Sequence, residues 1–129
     1  MSIKSSSSQE KPTQQERENN RSLILQGWDE VATDYAKDRL GIFTRCAERL
    51  LDILQLPPGE TVLDVGCGSG LVTLESARRV ESSGHVTGCD ISPAMVKWAE
   101  RKARGEGITN TTFYTMDAEQ LEFPDDYFD

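Results

Sequence analysis

The chain has few of the residues that build disulfide, metal or membrane proteins. Its three cysteines, Cys46, Cys67 and Cys89, form no C-x-x-C pair and no even set, which points to a reducing compartment. The single histidine, His85, has no partner at metal-ligand spacing and is given no role. No apolar run approaches the roughly 20 residues needed to cross a bilayer, and no signal-peptide core stands near the start. A soluble, cytoplasmic protein is therefore expected. Basic charge is scarce too. Residues 1–22 hold four basic and three acidic side chains, so 10 bases face 19 acids in the remainder, within a net charge of −8. A field of that sign repels phosphate backbones, so a nucleic-acid partner is disfavoured.

At 129 residues the chain is long enough for one domain. Residues 1–22 are rich in Ser, Gln, Glu and Asn with almost nothing to bury, and are predicted to be a disordered tail. They lack the Arg-rich, acid-poor composition of a transit peptide. Residues 23–129 are assigned to the domain.

The centre of that domain is Thr61 to Gly70. Val62, Leu63 and Val65 form a short apolar run suited to a buried parallel strand. Glycines then alternate at 66, 68 and 70, around Cys67, and a helical pattern starts at once. Strand, glycine turn and helix together bring backbone close to a ligand, with N–H groups of the new helix facing it. Asp64 adds a carboxylate just before the turn. A dinucleotide fingerprint, G-x-G-x-x-G, would require glycine at position 71, which is Leu71.

Ahead of this strand, Trp28, Val31, Ala32 and Tyr35 recur at helical spacing within Leu23 to Lys37. Phe43 to Gln55 forms a second amphipathic helix, with Phe43, Ala47, Leu50, Leu51 and Leu54 on one stripe. It ends at Pro57-Pro58-Gly59. After the glycine turn a helix is predicted over Leu71 to Val80, then a strand from His85 to Cys89 that ends at Asp90. Ser92-Pro93 is a helix-start signal. The helix it opens buries Ala94, Met95, Trp98, Ala99 and Ala103 and stops at Gly105. Thr111 to Thr115 reads as a third strand, followed by Met116-Asp117-Ala118. Cys67 and Cys89 should lie at the ends of adjacent strands, where small soft residues in a tight turn are the preferred reading over a redox or metal role.

Asp90 stands one strand–helix–strand unit beyond Gly66, at the carboxyl end of the second strand, where an open α/β sheet binds ligands and an acid can take both ribose hydroxyls. Asp117, leaving the third strand, can accept from an exocyclic amine, or it can cap an acidic loop.

These strings resemble the ordered motifs of the class I S-adenosylmethionine-dependent methyltransferases. Asp64-Val65-Gly66-Cys67-Gly68-Ser69-Gly70 is similar to the D-x-G-x-G-x-G of motif I, and Gly88 to Met95 to G-x-D-x-S-x-x-M. Asp117-Ala118 followed by Leu121 and Phe123-Pro124 is similar to D-A-x-x-L-P-F, one residue longer than the commonest spacing. Trp28 to Tyr35 is similar to the W-D-x-V-A-x-x-Y lead-in of the ubiquinone and menaquinone biosynthesis type, and Phe123 to Asp129 to F-P-D-x-x-F-D.

The resemblance implies an α/β fold, a Rossmann-like parallel sheet, here its N-terminal β-α-β-α-β portion with preceding helices. It implies S-adenosyl-L-methionine as cofactor, gripped by residues 64, 66, 68, 70, 90, 91, 117 and 118. Gly66, Gly68 and Gly70 would face the methionine portion, with Cys67 in the same turn. Asp64 would orient that end, Asp90 would take the ribose, Ile91 would lie beside adenine, and Asp117 with Ala118 would read the adenine edge. Tyr35 is either near the methionine end or simply packed on the sheet. Met95 is either a ligand contact or core.

The expected activity is methyl transfer to a small-molecule acceptor. No catalytic residue and no metal site are assigned. A non-catalytic cofactor-binding fragment and an NAD(P)-binding oxidoreductase domain are the alternatives. The family's sheet has seven strands ordered 3-2-1-4-5-7-6, of which the chain supplies the first three. The expectation is therefore a truncated enzyme whose β1 edge is open to self-association.

Overall fold

The computed structural model describes residues 11–37 and 41–129. It contains four helices and three strands among these residues: α1 (Gln14–Tyr35), α2 (Ile42–Leu54), β1 (Thr61–Val65), α3 (Leu71–Val80), β2 (His85–Asp90), α4 (Pro93–Gly105) and β3 (Thr111–Thr115). The strands form one parallel sheet ordered β1-β2-β3. Parallel neighbours need crossovers, and α3 and α4 supply them.

The register aligns the strand ends. Val65 pairs with Cys89, and Asp90 with Thr115. The three loops that follow the strands therefore leave one rim of the sheet together. Beneath it, Ala77 and Val80 of α3 meet Val86 of β2, with Leu56, Val62 and Ile108 packed around them.

Three features differ from the sequence expectation. Residues 14–22, assigned to a disordered tail, form the first turns of α1; residues 1–10 lie outside the described residues. The helix starts at Thr13, whose hydroxyl accepts the Glu16 amide while Glu16 Oε2 accepts the Thr13 amide at 2.7 Å. This reciprocal cap satisfies two groups that a helix end leaves without intrahelical partners, so a polar segment holds its start without a core.

The second difference is α2. Of its predicted stripe only Ala47 and Leu51 are buried, whereas Phe43, Leu50 and Leu54 remain about half exposed. Among the described residues the helix packs mainly on α3, with Phe43 against Tyr35 of α1, so one narrow seam is covered. Similarly, β1 is less buried than expected, because it has a partner strand on one side only and Val65 is exposed. At its outer edge the Asp129 amide donates to Thr61 O, and Thr61 N–H donates to Asp129 Oδ2, both at 2.8 Å.

Candidate functional site

The glycine corner is built from conformations a side chain resists. Gly66, Gly68 and Gly70 have φ of +75°, +53° and +87°. Gly70 also meets α4: a Cβ there would lie 2.9 Å from Ala99 Cβ, so the corner sits directly on that helix.

The amides at this corner brace it internally. Gly66 and Cys67 both donate to Cys89 O, at 2.8 and 2.9 Å, and Gly70 donates to Cys67 O at 3.0 Å. Gly68 donates to Asp90 Oδ2 at 2.8 Å. The loop's own N–H groups thus hold β1's end against β2's end. What the glycines contribute to a ligand is close backbone approach.

Asp90 is fixed at both carboxylate oxygens, since its Oδ1 accepts the Ser92 amide at 2.9 Å. Ser92 caps α4 by accepting the Met95 amide at 3.1 Å, and its hydroxyl donates to Asp29 of α1 at 2.5 Å. Asp64 accepts the Thr73 hydroxyl at 2.6 Å. Burial pushes the Asp64 carboxyl above its usual range and the Asp90 charge pushes in the same direction; the Thr73 hydrogen bonds oppose them. Two acids held together at this rim form a local negative field suited to a cationic ligand.

Asp117 sits at the third loop. Its Oδ1 accepts the Glu119 amide at 2.8 Å and its carbonyl accepts Gln120 N–H at 2.9 Å, so it caps a turn as the plainer of its two readings requires. Its Oδ2 is paired with the Arg21 guanidinium from α1. Ala118 is exposed beside it.

Two cavities open along this rim. One, of about 240 Å³, is lined by Asp64, Gly66, Cys67, Gly68 and Ser69 on one side and by Tyr35, Phe43 and Leu50 on the other. Tyr35 reaches the corner itself, with its ring 3.7 Å from where a Gly68 Cβ would stand, and stacks on Phe43 at 4.8 Å. The other, of about 710 Å³, is lined by Ile91 and Asp117 together with Arg21 and Ile24 of α1. Met95 is 1% exposed and packs in the core. Cys67 and Cys89 are buried free thiols, both pushed up chiefly by burial, and among the described residues no metal-ligand cluster exists.

The structure therefore gathers Tyr35, Asp64, the glycine corner, Asp90, Ile91, Asp117 and Ala118 along one rim. Sequence reading missed Thr73, Arg21 and Asp29. Thr73 faces Asp64 from the first turn of α3, whereas Arg21 reaches the rim because α1 begins before Leu23, and Asp29 because the helix crosses the rim.

A parallel sheet whose consecutive strands end in a glycine corner and two acid-bearing loops defines a nucleotide-type ligand site of the doubly wound class. Residues 62–129 match the methyltransferase domain family, and the chain belongs to that family. It is 41% identical over 108 residues to aklanonic acid methyltransferase DauC of Streptomyces sp. (strain C5), covering 82% of this chain and 48% of that protein. It is 44% identical over 73 residues to the ubiquinone/menaquinone biosynthesis C-methyltransferase UbiE of Vibrio campbellii, covering 56% of this chain and 28% of that protein. Among solved structures, a SAM dependent methyltransferase from Aquifex aeolicus superposes with a TM-score of 0.59 at 30% identity, over 64% of this chain and 44% of that one. The chain thus spans less than half the length of these relatives. The α/β fold with a Rossmann-like parallel sheet is that of the class I methyltransferases. No helix among the described residues is long and apolar enough to cross a membrane.

Proposed function

We propose that this chain holds S-adenosyl-L-methionine for methyl transfer to a small-molecule acceptor. The observation that carries the reading is the Gly68–Asp90 hydrogen bond, which joins the glycine corner to the ribose-type acid on the adjacent strand. The residues fit the cofactor. Asp90 is already oriented by two backbone amides and keeps acceptor capacity for ribose hydroxyls. Ile91 and Ala118 offer apolar contact to an adenine ring, and Asp117 an acceptor for its amino group. Asp64, oriented by Thr73, faces the corner where the methionine portion would lie, with Tyr35 opposite.

When bound, the cofactor supplies an electrophilic methyl group together with its own leaving group. What the chain contributes is placement, which can lower a barrier by about 7–11 kcal/mol when reactants are well aligned. The aromatic and aliphatic wall of Tyr35, Phe43 and Leu50 suits an apolar acceptor better than a charged one. The names of the relatives, which refer to aklanonic acid and to quinone biosynthesis, support a small organic acceptor. The three free thiols support a cytoplasmic setting. The outer edge of β1 beyond Thr61 is the surface we assign to self-association, read by sedimentation equilibrium.

Calorimetric titration with S-adenosylhomocysteine tests the cofactor reading. Binding that Asp90→Ala weakens supports it. Binding of NAD in its place overturns it. Transfer of a labelled methyl group to quinone-like or polyketide-like acceptors tests the chemistry, and binding without any transfer would favour a cofactor-holding module.

A further inference from the structure

Helix α1 touches each of the three rim loops in turn. Arg21 pairs with Asp117 after β3, Asp29 accepts from Ser92 after β2, and Tyr35 abuts Gly68 after β1. From Arg21 to Tyr35 the helix spans about 21 Å, so it lies along the rim rather than at one end of it.

This course divides the site. The cavity at the glycine corner is walled by Tyr35, and the cavity at Asp117 by Arg21, while Asp90 lines neither. The corner cavity, at about 240 Å³, falls below the usual size of a ligand pocket, ~300–1,000 Å³. An adenosyl ligand gripped at both ends must pass Asp90, under the stretch of α1 that holds Ser92.

Each oxygen of the Asp117 carboxylate already has a partner, so an adenine amino group that reaches it meets the Arg21 guanidinium there. Glu119 N–H takes Oδ1 and Arg21 takes Oδ2. Yet α1 is lightly anchored. Ala32 is its one fully buried residue, and Leu23, Ile24, Trp28 and Val31 are all more than 40% exposed. A segment with so little buried apolar surface opens locally at small cost.

We propose that α1 is a bar across the chain's own cofactor site, latched by Arg21 on Asp117, and that cofactor entry requires this latch to open. The inference rests on the cofactor reading above. Arg21 thereby sets cofactor affinity by competing with the adenine amino group for one carboxylate oxygen.

The test is calorimetric titration of S-adenosylhomocysteine into the full chain, into Arg21→Gln and into Arg21→Lys, at low and high NaCl. Arg21→Gln should bind about fivefold more tightly than the unaltered chain, the scale of a half-exposed ion pair. Arg21→Lys keeps the charge and should bind like the unaltered chain. Salt should tighten binding to the unaltered chain by screening the latch and should do so far less for Arg21→Gln. Equal or weaker binding by Arg21→Gln, at an unchanged melting temperature, overturns the latch while leaving the cofactor reading intact. If no protein binds the ligand, the cofactor reading falls and the latch with it. Should Arg21→Gln fail to fold, the salt series on the unaltered chain decides: binding that weakens or stays level as salt rises overturns the latch.

Discussion

The Gly68 amide donates to Asp90 Oδ2 at 2.8 Å, so the corner after β1 and the end of β2 are fixed as one unit. Ser92 N–H completes the clamp on Oδ1. Asp90 therefore shapes the loop as well as offering acceptors to a ligand. Asp90→Ala removes a charged acceptor from two backbone donors, and hydrogen bonds to charged groups contribute about 1.5–3 kcal/mol each. S-adenosylhomocysteine binding is expected to weaken by roughly 10–100-fold, with a lowered melting temperature. Asp90→Asn, which keeps an oxygen acceptor, should fall between. Calorimetry on the two variants checks this, and equal binding by Asp90→Ala would remove Asp90 from the site.

Gly70 has two reasons to be glycine, and they separate experimentally. Its φ is +87°, and an added Cβ would come within 2.9 Å of Ala99 Cβ and 3.3 Å of Ala99 Cα. Gly70→Ala should destabilise the fold by about 2–4 kcal/mol, from left-handed backbone strain and core overpacking together. Adding Ala99→Gly relieves the nearer clash but not the backbone strain or the loss of helix propensity. The double variant should recover part of the loss in urea titrations. Full recovery would mean that the backbone conformation costs nothing here.

Much of this rim was legible because each signal was local. Val62 to Val65 and the glycine alternation fix strand and corner by residue type alone. Ser92-Pro93 fixes where α4 starts, and in the structure Ser92 caps the helix by accepting the Met95 amide. The start of α1 was equally local, since Thr13-x-x-Glu16 is a capping-box spacing. The surrounding Gln, Glu and Asn carry no apolar stripe, so that spacing stands without the periodicity that marks a helix. Arg21 carries no local signal, and Asp29, though it is the acid of the W-D lead-in, carries none of its partner Ser92. Their roles arise from where a helix crosses the sheet rim, which depends on tertiary packing that no spacing encodes. The half-exposed Phe43, Leu50 and Leu54 have the same cause: periodicity shows which face is apolar, not how much of it a neighbour covers.

The cysteines should react in order of exposure. Cys46 is exposed, whereas Cys67 and Cys89 are buried and their thiols are pushed up by burial, so neither forms the reactive thiolate near neutral pH. One thiol of three should modify rapidly in the folded chain, and all three after denaturation. Cys46 lines the same cavity as Asp64 and Gly68, so S-adenosylhomocysteine should slow its modification. Mass spectrometry of partly alkylated protein checks both points, and rapid labelling of Cys67 would show that the glycine corner opens.

Asp64 gives the site a pH signature. Burial, together with repulsion from Asp90, raises its carboxyl above the ordinary range of an aspartate, against the pull of Thr73. A raised folded pKa means that the fold favours the protonated acid. The contribution of Asp64 to stability is then fully present below its unfolded pKa and is lost as pH rises through the higher folded value. At neutral pH the ionised Asp64 destabilises the empty protein, which is where a cationic ligand recovers the difference. Asp64→Asn keeps an acceptor for the Thr73 hydroxyl and removes the charge. It should therefore melt at a higher temperature than the unaltered chain at pH 7, and this advantage should vanish as pH falls below the ordinary carboxylate range. The same variant should bind S-adenosylmethionine less tightly at pH 7, with a smaller loss for neutral S-adenosylhomocysteine, which lacks the sulfonium charge. Melting curves from acid to neutral pH and paired titrations with the two ligands check this. An Asp64→Asn protein that is less stable at pH 7 would show that the Thr73 hydrogen bond outweighs burial.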